Sequence, residues 1–183
     1  MTEPTLTDKM ERLIATHEDL AKLVLTVLED DSLSREARAP LGVGARYAVE
    51  HNDLIPNSLE DYGLIDDLFI LGIAVNRFLD SPHASVRAYA DKAVSGRPVA
   101  DYLKEMQSEF GSFWEYCEEA SAAFFEHVCD KMEYEKGYLA KVRDNFREEI
   151  KPIGESTRNV KLQEANLRWF LLKYKKADPG ASG

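Results

Sequence analysis

Apolar residues recur every three or four positions through nearly the whole chain, and that spacing constrains it to helices. The pattern is longest near residues 111–150. There Cys117, Ser121, Phe124, Val128, Met132, Glu135, Leu139, Val142, Phe146 and Ile150 fall on one line, widened in its first half by Phe113, Trp114, Phe125 and Cys129. It predicts a helix that spans the domain or is kinked near Gly137. No alternating run bounded by turn signals argues for a sheet. The fold expected is therefore all-α, a six- to seven-helix bundle with a long helix near 111–150.

The remaining segments follow from punctuation. Thr5 or Thr7 can cap a first helix whose stripe is Leu6, Met10, Leu13, His17, Leu20, Val24 and Val27. His17 on that stripe is expected to be a hydrogen-bonded core histidine. Ser34 caps a second helix, which Pro40, Gly42 and Gly44 should break or loosen before about His51. A loop over 52–63 leads to a third helix over about 64–79. Ser81-Pro82 starts a fourth. Gly96-Arg97-Pro98 closes it and opens a short fifth. Lys151-Pro152-Ile153-Gly154 should stop the long helix, and Ser156 or Thr157 should begin a last one to about Lys176. Residues 1–176 read as one domain and 177–183 as a flexible tail.

Of 183 residues, 44% are hydrophobic, enough for a real core. The net charge of -10 argues against general nucleic-acid binding, which needs cations to displace counterions from phosphates. The charge is uneven: seven basic residues oppose three acidic ones from Lys151 onward, whereas residues 1–150 hold sixteen basic and thirty acidic. An acidic body with a basic end can steer a partner or a self-contact. Cys117 and Cys129 lie twelve apart in one expected helix, about 18 Å, too far to bridge. Free thiols fit a reducing cytoplasm. No segment has the form of a signal peptide, and no apolar run approaches the roughly 20 residues of a membrane span.

Residues 53–68 read DLIPNSLEDYGLIDDL. This resembles the signature of the YkvA-like bacterial family, a small helical domain of unknown function: Asp-Leu-Ile-Pro-Asp, a short apolar stretch with a Gly, then Asp-Asp-Leu. Asp53, Leu54, Ile55 and Pro56 match in order, and Gly63, Asp66, Asp67 and Leu68 fall at the family's spacing. Asn57 stands where the family usually has Asp, and residues 58–62 are more polar than usual. The resemblance covers about residues 40–80, implies a helical hairpin there, and implies little about activity.

The residues themselves allow three readings, of which the last is a docking site for a basic partner. Asp66 and Asp67 fall in the first turn of the third helix, where the helix dipole favours negative charge, so the segment can be a joint built from capping carboxylates. Alternatively, residues 47–76 hold six acids (Glu50, Asp53, Glu60, Asp61, Asp66 and Asp67) and no Lys or Arg. Asp53, Asp61, Asp66 and Asp67 could then bind Mg²⁺ or Ca²⁺, with His51 as a further ligand for a transition metal.

No complete catalytic constellation is present. Glu-x-x-His pairs, a His-Asp dipeptide, a phosphate loop, a nucleophile elbow and Cys-x-x-Cys are all missing. The last helix is more informative. Val160, Leu167, Phe170, Leu171 and Tyr174 share one face, while Leu162, Trp169 and Leu172 lie among Arg158, Lys161, Lys173 and Lys176. Apolar side chains within a basic face suit a second contact, with Leu162, Trp169, Leu172 and Lys173 as the expected contact residues. The leading expectation is a non-catalytic interaction or adaptor module, with a protein partner or a homo-oligomer and without a cofactor. The alternatives are a divalent-metal-dependent enzyme or metal-regulated protein using the 53–67 carboxylates, and peripheral membrane contact through the basic helix.

Overall fold

A computed structural model describes residues 3–50, 54–55, 62–82, 84–158 and 160–175, without the side chains of 84 and 85. The fold is an all-helical bundle. Its elements are α1 (Leu6–Ala15), α2 (His17–Leu28), α3 (Arg35–Glu50), α4 (Gly63–Leu79), a 3-10 helix (Ala84–Tyr89), a two-strand hairpin of β1 (Ala93–Val94) and β2 (Arg97–Pro98), α5 (Val99–Tyr134), α6 (Tyr138–Ser156) and α7 (Glu164–Lys173). The 36 residues of α5 make it the long helix.

The centre of the bundle is α3, which packs against α2, α4, α5 and α6. Pro40 and the two glycines do not break it. They fit it to its neighbours instead. A Cβ on Gly44 would lie 2.6 Å from Cβ of Ala74 on α4, and one on Gly42 would lie 2.7 Å from Leu139 of α6. Hydrogen at these positions lets the helix axes approach. Pro40 removes one intrahelical donor, but the carbonyl it strands belongs to Glu36, which is exposed to water. The same reason lets α6 continue through Pro152, since Glu148 is exposed as well. The helix expected to end at Ile150 therefore runs on to Ser156, and the last helix starts at Glu164 and not at Ser156 or Thr157.

Other boundaries also differ. The expected first helix is two, parted at Thr16, whose hydroxyl lies within hydrogen-bond distance of Leu13 O (2.6 Å) and of the Tyr102 hydroxyl (2.9 Å). Thr5 caps α1 with a full capping box closed by Asp8. The Ser34 hydroxyl accepts from the N–H of Ala37, as an N-cap does. Ser81-Pro82 precedes a 3-10 helix, not an α-helix. Ser95 and Gly96 both have positive φ (52° and 79°), the requirement of a tight two-residue hairpin turn, so a small β-hairpin stands before α5. Helix α5 absorbs the expected short fifth helix through a non-helical Phe110 (φ -132°, ψ 33°), and it ends before Gly137, whose φ of 82° turns the chain into α6. The kink near Gly137 is a full break.

Residues 68–75 of α4 are buried without exception, so this helix is apolar all round. Phe69 meets Phe110, Phe113 and Trp114 edge-on at centroid distances of 6.1, 4.8 and 6.3 Å. Phe170 of α7 joins the same cluster through Phe113 (5.4 Å) and Tyr62 (5.2 Å). His17 is fully buried as expected, but neither ring nitrogen has a hydrogen-bond partner. Its stripe delivers it among apolar neighbours, and burial pushes its pKa down to about 4.

Candidate functional site

Of the acids the sequence singles out near the start of α4, Asp66 is the buried one. Asp66 follows Gly63, Leu64 and Ile65 in the first turn of α4 and is 0% exposed. Its Oδ2 accepts from the Tyr47 hydroxyl (2.7 Å) and from the N–H of Ile55 (3.2 Å). The Tyr47 oxygen in turn accepts from the N–H of Leu54 (2.6 Å). One carboxylate thus fastens the end of α3, the start of α4 and the chain between them. Unlike the donors of an ordinary cap, Tyr47 and Ile55 lie outside Asp66's own helix.

The electrostatics follow from burial. Desolvation raises the Tyr47 hydroxyl far above its usual range, and the negative charges of Asp66 and Asp67 add to the effect. Cys117 is raised well above the usual thiol value, first by burial and then by Asp66, so it is an inert core thiol. Cys129 is half-buried and pushed up to about 11, again chiefly by burial. Both cysteines are free.

Of the expected metal ligands, Asp66 is buried and Asp67 half-buried, while His51, Asp53 and Asp61 lie outside the described residues. Among the described residues no group of three or more His, Cys, Asp or Glu side chains could hold an ion. Sequence reasoning missed Tyr47, which stands nineteen residues before Asp66. The available signal was a tyrosine on the buried face of a helix, whose hydroxyl must find a partner.

The second candidate is the outer face of α7. Leu167 and Phe170 point inward, whereas Trp169 is 57% exposed and Leu172 is 65% exposed. The Lys173 ammonium lies 5.0 Å from the Trp169 ring centroid. Leu162 does not join this outward group. It is half-buried, and its N–H donates to Glu11 Oε1 (2.7 Å), while Lys161 pairs with the other oxygen of Glu11 (3.0 Å). Tyr174 is packed on Tyr116 (5.7 Å) and Phe170 (5.1 Å), which holds the end of α7 against α5.

Facing outward on α5 is an acidic strip: Glu115, Glu119, Glu126 and Asp130 are exposed, with the small Ala120, Ala122 and Ala123 among them. Among the described residues no ion pair reaches these four acids. No described helix is long and apolar enough to cross a membrane. Comparison with family models, curated proteins and solved structures finds no match to this chain.

Proposed function

We propose that this protein is a non-catalytic helical interaction module that self-associates, with α7 of one copy docking on the acidic strip of α5 of another. The observation that carries this reading is the exposure of Trp169 and Leu172, 57% and 65%, on a ten-residue helix whose other face is already packed. Two large apolar side chains on one short element form a patch that water disfavours. The cations beside them, Lys173 and Lys175, complement Glu119, Glu126 and Asp130, and the alanines of the strip leave room for an indole. Trp is also the residue type most enriched among those that dominate interface energies.

The YkvA-like segment has an architectural part in this reading. Asp66 sets the angle between α3 and α4, which hold α5 and α7 through the Phe69–Phe113–Phe170 contacts. Its burial and its bonds from Tyr47 and Ile55 support a joint in preference to an ion site. The free cysteines support a reducing compartment, the cytoplasm.

Sedimentation equilibrium over a range of concentrations tests the proposal. The parent chain should self-associate, and the association should weaken with salt. Trp169→Ala with Leu172→Ala should be monomeric with an unchanged circular dichroism spectrum. A parent chain that is monomeric at all concentrations, or a double variant that still associates, refutes it. Flotation with anionic vesicles of the double variant and the parent reads the membrane alternative, and loss of flotation on substitution in a monomeric parent would replace the self-contact by a lipid surface.

A further inference from the structure

A cavity of about 130 Å³ lies where the end of α2, the start of α3 and the start of α6 meet. Three guanidiniums line it, those of Arg35, Arg38 and Arg143, against a single carboxylate, Asp31. In a chain of net charge -10 this is an unusual concentration of positive charge. The Asp31 side chain is 89% exposed, so water screens it.

The fold holds the guanidiniums in place and leaves donors over. Arg35 donates to the carbonyls of Glu133 (3.1 Å) and Glu135 (2.8 Å), covering the end of α5. Those partners are neutral, so its charge persists. Arg38 donates through Nη1 to Leu28 O (2.9 Å) at the end of α2 and meets Asp31 at 3.3 Å. Its side chain is only 11% exposed, and its Nε is buried without a hydrogen-bond partner. Arg143 holds Asp144 with Nε and Nη2 (3.0 and 2.9 Å), which leaves Nη1 outside that pair. The fourth wall is the beginning of α6. Gly137 enters it with φ of 82° and without a side-chain cap, and Leu139 and Ala140 of the first turn line the cavity. A helix start adds a positive field of its own to the three cations.

We propose that this cavity binds a phosphate group, with the rest of any carrier molecule projecting into solvent. Planar guanidiniums with donors in reserve match phosphate oxygens in geometry as well as charge. The volume admits one phosphate group and excludes a nucleoside. Arg35 and Arg38 of α3 and Arg143 of α6 supply the donors.

Isothermal titration of the parent chain with inorganic phosphate, at ionic strength held constant with chloride, tests this. Saturable binding is expected, with a rise in Tm, because a ligand bound to the folded state alone stabilises it. Arg143→Gln should weaken the affinity about tenfold or more while leaving the phosphate-free Tm near that of the parent. Asp31→Asn, which removes the carboxylate that lines the cavity, should tighten it, an outcome that misfolding cannot imitate. Glycerol phosphate as a second titrant separates the sources. Tighter binding than inorganic phosphate assigns the site to a phosphate monoester, and weaker binding assigns it to the free anion. Absence of saturable binding of either titrant, or equal affinity in the parent and both variants, overturns the proposal and leaves the arginines as helix-end staples.

Discussion

The Tyr47 hydroxyl donates to the Asp66 carboxylate across 2.7 Å, and both groups lie in the interior of the bundle. A buried carboxylate is costly unless it is hydrogen-bonded, and this one gains Ile55 N–H as well. Replacing Asp66 by Asn should therefore lower stability by about 1–3 kcal/mol, more than a surface cap contributes. Tyr47→Phe should lose about as much, and the double variant less than the sum, because the two remove one shared contact. Urea unfolding in the presence of chelator measures all three. A crowded ion site gives the opposite sign, since removing one of several like charges stabilises the metal-free protein.

His17 sets a pH dependence. Its pKa falls from 6.5 in the unfolded chain to about 4 in the fold, because burial disfavours the cation. A depressed histidine contributes stability that is fully present above the unfolded value and is lost as pH falls toward the folded one. The parent should thus lose about 3 kcal/mol from this residue between pH 6.5 and 4. His17→Met should flatten that part of the profile and raise stability at neutral pH by removing two unpartnered polar atoms. Denaturant melts at half-unit pH steps compare the two, and parallel profiles would show that His17 is not the cause.

Two glycines should respond to alanine with opposite signs. Gly44→Ala places a Cβ 2.6 Å from Ala74 and should cost about 1–3 kcal/mol by forcing α3 from α4. Gly111→Ala meets nothing within 4 Å on a helix and should stabilise by about 0.5–1 kcal/mol through helix propensity. Thermal unfolding of both variants checks the contrast.

Helical class and the long helix were legible because periodicity depends on burial, and burial organises this chain almost throughout. The caps at Thr5 and Ser34 were legible for a local reason: a short polar side chain three residues before a free N–H leaves its mark in sequence. The continuity of α3 and α6 was not. Whether Pro40 or Pro152 ends a helix depends on the exposure of Glu36 or Glu148, and whether Gly42 is a breaker or a contact depends on Leu139, almost a hundred residues away. The same holds for the sites. Asp66 was marked by its motif, but Tyr47 as its donor and the meeting of Arg35, Arg38 and Arg143 are products of tertiary packing.

The proposed self-contact would join two different surfaces, so it can be broken on either side and restored by mixing. One chain carries Trp169→Ala and Leu172→Ala and keeps the acidic strip of α5. The other carries Glu119→Lys and Glu126→Lys and keeps α7. Sedimentation velocity should find each variant monomeric alone and a one-to-one dimer in the mixture, since the mixture holds one intact α7 and one intact strip. A mixture that stays monomeric while the parent associates, or a Glu119→Lys, Glu126→Lys chain that associates by itself, would contradict the docking of α7 on α5.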